Sequence, residues 1–227
     1  MAIRRAIQLL LCYGPLVAFW AVTVSGSVVA AFDVRDREQG RQVVVGSAVV
    51  MLFWLIQGWG FISLTVETRL IPPARFVWTL GFVALVVHIL IAFGVAHGWS
   101  HAAAVEHVRK VGGFGGGIVV NYLFAAVWLA DVVWWWISPT SHANRPRWVG
   151  WVVHGFLAFV VVNATVVFGT PVLRGGYALG LIWTLLWWLT APAVFGLLWK
   201  WLKKTNEPGR GPGSGGAPQA AEVHSPT

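Results

Sequence analysis

Charge is scarce in this chain. Asp, Glu, Lys and Arg make up 11% of its 227 residues, against about 25% in soluble domains. A chain so poor in charge is not an ordinary soluble globular domain. Cysteine is almost absent too. The single Cys12 excludes an intrachain disulfide, a CxxC redox pair and a cysteine-ligated iron–sulfur cluster. The bulky Leu11 before it does not suit a lipoprotein signal, so Cys12 reads as an apolar packing residue. Acids are fewer than bases, and the net charge is +8. The basic residues form no stripe or face; they flank apolar runs. That excludes nucleic acid as a partner and points to anionic lipid headgroups. The glycine run 112–117 lacks the lysine–serine pair of a nucleotide loop, and close helix packing explains it better. No nucleophile triad and no internal repeat of the transporter kind is present.

What is abundant is apolar sequence. Hydrophobic residues make up 57% of the chain, concentrated in six runs: 7–31, 43–66, 76–97, 117–137, 148–169 and 177–199. A hydrocarbon core about 30 Å thick takes roughly 20 residues of helix. The runs do not alternate as barrel strands do, and in lipid the backbone must satisfy its own hydrogen bonds. The expected fold is therefore all-α, a polytopic integral membrane bundle of six transmembrane helices in residues 1–202, with the lipid bilayer as its partner. A Gly- and Pro-rich stretch, 203–227, reads as a disordered cytoplasmic tail. No protein partner is legible. Sixteen tryptophans include many near the run ends, among them Trp99, Trp134, Trp135, Trp136, Trp148, Trp151, Trp199 and Trp201, where indoles anchor at the headgroup level.

The first run is nearer a full span than a cleavable signal, although Val28-Val29-Ala30 resembles a cleavage site. With six spans both termini share a side. Ten of the sixteen Lys and Arg residues then fall on that side, Arg75, Arg145 and Arg147 among them, and six on the other. The positive-inside rule predicts N-in and C-in. The Gly-, Ala-, Val- and Arg-rich composition and the compact loops suggest a bacterial inner membrane. Pro192 is expected to kink the sixth span.

The loop after the third span holds His97, His101, Glu106 and His107. On one continuous helix His97 and His101 would share a face, a spacing that suits two imidazoles on one metal. Glu106 and His107 could complete the set if the chain folds back. Imidazole serves copper, zinc, iron and nickel alike. Gly98 and Ser100 would break that helix, with Ser100 capping a short interfacial helix up to Lys110. The competing reading is a solvated, titrating loop. The HxxxH spacing is shared with membrane desaturases, but those enzymes carry several such boxes on the cytoplasmic side.

Deeper in the apolar runs, polar residues stand out. His88 lies thirteen residues before His101, a spacing used in di-haem membrane cytochromes. The second histidine pair those need is missing, which leaves His88 as a ligand for a single haem b or as an interhelical hydrogen bond. An acid at membrane depth needs a partner. Helical rise places Asp131 roughly 10 Å and His154 roughly 9 Å from the same boundary, which predicts an Asp131–His154 pair, structural or proton-relaying. Asn121 and Asn163 fall about 25 Å and 22 Å from that boundary. With Gln57 they are candidates to line a cavity or to bind helices together.

Three functional expectations follow. The leading one is a transition-metal or haem site at the outer end of the third span, serving redox chemistry, metal handling or assembly. The second is a cofactor-free structural or accessory membrane protein. The third is a proton-coupled carrier using Asp131, His154 and His88.

Overall fold

Lipid offers a backbone no hydrogen-bond partners, and the described residues meet that demand with long helices. The structure, a computed structural model, describes residues 2–63 and 71–168, with side chains over 13–63 and 73–164. All of these belong to the first of two compact units, Met1–Leu185. The sixth apolar run, Pro192, Trp199, Trp201 and the tail lie outside the described residues.

The long helices are α1 (Ala2–Phe32), α2 (Arg37–Ser63), α3 (Ile71–Ile91), α5 (Ile118–Ile137) and α7 (Arg147–Phe168). A π-helical turn, Ala92–Ala96, extends α3. Two shorter helices sit in the connections: α4 (His101–Gly112) after α3 and α6 (Pro139–Ala143) after α5. Five segments are long and apolar enough to cross a membrane: Tyr13–Phe32, Arg37–Ser63, Pro73–Ala96, Gly115–Ile137 and Arg147–Ala164. Because α5 runs from the α4 connection to the α6 connection, these two short helices mark opposite ends of the bundle.

The α2–α3 pair is the most extensively packed; α1 leans on both, and α5 bridges α3 and α7. Its core is built on tryptophan. Trp54, Trp78 and Trp128 are fully buried with Leu55 and Leu157. Indoles this large fit between helices only where a facing residue has no side chain. A Cβ on Gly58 would lie 2.6 Å from a Trp78 ring carbon, and one on Gly81 2.9 Å from Trp128. Trp78 and Trp128 then meet with ring centroids 4.9 Å apart. Tryptophan here is thus core as well as belt. Trp99, Trp136, Trp148 and Trp151 are exposed, but Trp135, placed at an interface by sequence, is buried and stacks on His142 at 4.6 Å. Large apolar side chains such as Phe32, Phe159 and Val162 point outward, as a bilayer environment permits.

Candidate functional site

Two polar groupings stand out, one at each end of the bundle. The larger is centred on Asp131 of α5, which is 3% exposed. A buried carboxylate demands donors, and the chain supplies them from several elements. Trp78 of α3 donates its indole N–H to Oδ2 at 2.9 Å. Arg145, in the connection after α6, donates from Nη1 to Oδ1. His142 of α6 brings Nε2 within 3.2 Å of the same oxygen.

The predicted Asp131–His154 pair takes a different form: Arg145 stands between the two residues. Its Nη2 lies 3.0 Å from His154 Nε2, and its Nη1 lies 2.8 Å from His142 Nε2. One guanidinium therefore serves the carboxylate and lies against two imidazoles, and His142 Nε2 either donates to Asp131 or accepts from Arg145, since one ring nitrogen cannot do both. Trp59 of α2 donates to His154 Nδ1 at 3.2 Å. A neutral imidazole has one acceptor nitrogen, so Trp59 and Arg145 compete for a single lone pair on His154. His142 is sandwiched against Trp135. The outcome is a closed cluster that joins α2, α3, α5, α6 and α7.

Sequence reasoning placed Asp131 and His154 at one depth but missed Arg145 and His142. Both precede or flank Pro146 in a polar connection, where an arginine reads as a topogenic flank and a histidine as a loop residue. The signal that could have found them is the acid itself: Asp131 needs a cation, and Arg145 is the nearest one along the chain past the end of α5.

The second grouping is at the α4 end. Here the chain reverses. Gly98 and Trp99 both adopt left-handed backbone, φ 54° and 62°, and the Trp99 N–H closes onto Phe93 O at 2.8 Å. Gly94 makes room for the Trp99 indole, since a Cβ there would meet the ring at 3.0 Å. Ser100 then caps α4, its hydroxyl accepting from Ala103 N at 3.2 Å. Gly113, at φ 78°, ends it.

This reversal decides which histidines meet. His97 and His101 do not share a helix face, because the break falls between them. His101 instead meets the Tyr122 hydroxyl at 2.8 Å and stacks on that ring. His97 and His107 are brought together, ring centroids 5.3 Å apart. Partial burial, with the nearby His107, pushes His97 below the ordinary histidine range, which favours the uncharged ring. Glu106 is committed elsewhere. Arg109 takes both of its oxygens, at 2.7 and 2.8 Å, and this holds its carboxyl below the usual range. Among the described residues no group of three or more His, Cys, Asp or Glu side chains is arranged to hold a metal ion.

The remaining candidates divide. His88 meets Ser47 of α2 at 2.9 Å through Nδ1, an interhelical hydrogen bond. Gln57 is buried in α2. Asn121 and Asn163 are exposed. A cleft of about 600 Å³ between α1 and α2 is lined by Thr23, Ser27, Asp33, Gln42 and Ser47 among others, and by none of Gln57, Asn121 or Asn163. Between Trp78 and His88 on α3, the buried residues Leu80, Gly81, Ala84 and Leu85 are apolar, so the buried face of α3 offers no polar path from His88 to the Asp131 cluster. Comparison with protein-family models, curated proteins and solved structures finds no match for this chain.

Proposed function

We propose that this protein is an accessory membrane protein, a helical scaffold whose intramembrane polar residues hold the bundle together. The observation that carries this reading is the closure of the Asp131 cluster. Both carboxylate oxygens have donors, and Arg145 joins Asp131 to His142 and His154. Both oxygens of the buried carboxylate draw donors from within the chain, on α3 and on the connection after α6, which is what a clamp between helices requires. In this reading the chain crosses the membrane six times with both termini in the cytoplasm of a bacterial cell. The α4 helix, which buries Ala104 and Val108 and exposes Arg109 and Lys110, rests at the outer interface.

Reconstituted full-length protein tests the reading. The expected result for proteoliposomes holding a pH-sensitive dye is no proton flux above that of empty vesicles, together with a lower melting temperature in Asp131→Asn. Proton-linked flux that disappears in Asp131→Asn while the melting temperature holds would replace the scaffold with a carrier.

A further inference from the structure

The α4 end carries a second feature that the scaffold reading does not use. His97 closes the π-helical turn after α3, and His107 lies ten residues on, in the middle of α4. Nothing in local helix geometry pairs residues at that spacing across a break. They meet because Gly98 and Trp99 turn the chain back on itself, with Trp99 locked to Phe93 and Ser100 capping the new helix. Two backbone residues in the left-handed region, one of them a tryptophan, hold this reversal. Such strain persists only where the surroundings fix it.

The distance between the rings is informative. Two imidazoles on one tetrahedral ion, with metal–nitrogen bonds of about 2.0–2.1 Å, have centroids roughly 5 Å apart. The His97 and His107 centroids are 5.3 Å apart, with ring planes at 58°. His107 is exposed and His97 half-buried, so an ion can reach them. Glu106 is held by Arg109 and His101 meets Tyr122, so both neighbours are engaged away from the pair.

We propose that His97 and His107 form a two-imidazole site for a copper(II) or zinc(II) ion at the α4 end of the bundle. Imidazole pairs suit both metals, and copper(II) binds nitrogen ligands more tightly than the other divalent ions of its row. Two protein ligands leave two positions of a tetrahedron open. Water fills them in the isolated protein, and donors from another molecule can replace it. A half-filled shell of this kind fits an ion that is taken up and passed on, because structural sites close all four positions.

The test uses untagged full-length protein in detergent, titrated with copper(II) alone and then zinc(II) alone by equilibrium dialysis. The expected result is one saturable equivalent, with a copper(II) paramagnetic resonance spectrum carrying splitting from two nitrogens. His97→Ala and His107→Ala should each weaken binding by roughly tenfold or more, since even groups that only support a ligand are worth 10–100-fold. His101→Ala and Glu106→Gln should leave binding unchanged. His107 is exposed on α4, so its substitution does not endanger folding; His97→Gln, checked by its melting curve, serves if His97→Ala unfolds. Absence of a saturable equivalent, wild-type binding in either His97→Ala or His107→Ala, or an equal loss in His101→Ala would overturn the site. None of these outcomes touches the Asp131 cluster, so the scaffold reading stands or falls separately.

Discussion

At the scale of single residues, Asp131 is the one whose environment allows least freedom. Removing one partner from a buried ion pair strands the other and costs about 3–5 kcal/mol. Asp131→Ala and Arg145→Ala should each cause a loss of that size, read from thermal unfolding followed by tryptophan fluorescence. Because both remove the same interaction, the double variant should lose much less than the sum of the two. Additive losses would mean that Arg145 does not serve Asp131. Trp78→Phe deletes the N–H donated to Oδ2 and also shrinks a fully buried indole to a phenyl ring, so it should cost at least the about 1.5–3 kcal/mol of a hydrogen bond to a charged group, with a cavity cost added to it. The His88–Ser47 contact is smaller in kind. Ser47→Ala should cost about 0.6 kcal/mol and at most about 1.7, as interhelical polar bonds in membranes do.

At the scale of helices, close approach decides what the bundle tolerates. The tightest seams are Gly58 against Trp78 and Gly81 against Trp128. A methyl group at either must displace a buried indole ring, and at Gly81 it also meets Trp54 O at 3.2 Å. Gly58→Ala and Gly81→Ala should each destabilise by about 1–3 kcal/mol. Gly155 of α7 has open space around it, so Gly155→Ala should be neutral or stabilise by up to about 1 kcal/mol through helix propensity. Equal melting temperatures in all three would contradict the packing. The helices themselves were legible in the sequence, because an apolar run of span length leaves the backbone no other choice; five of the six runs correspond to described helices. The Ser100 cap was legible for the same local reason. The histidine partners were not. Helical spacing joined His97 to His101, but two left-handed residues, one of them Trp99, cut the helix between them. Nothing in the composition of Trp99 announces a positive φ. Arg145 and His142 were hidden differently: a proline-bounded polar connection looks solvated, and only the unmet demand of Asp131 draws it inward.

At the scale of the whole molecule, the two polar groupings acquire meaning only from the side each one faces. The α6 end holds Arg75, Arg145 and Arg147, and Arg75 lies 4.0 Å over the Trp136 ring, an anchoring pair of the kind found at a membrane interface. In the proposed topology this end faces the cytoplasm and the His97–His107 pair faces the opposite compartment, where an ion would arrive from outside the cell. Single cysteines settle the matter directly, because the chain has only Cys12 to remove. In a Cys12→Ser background, Ala102→Cys on exposed α4 and Thr140→Cys on exposed α6 place one thiol at each end. With an impermeant maleimide on intact spheroplasts, the α4 thiol should react at once and the α6 thiol only after the membrane is opened. The reverse order would invert the protein and turn the imidazole pair toward the cytoplasm. Equal reaction from one side would break the antiparallel order of α3 and α5 that separates the two groupings.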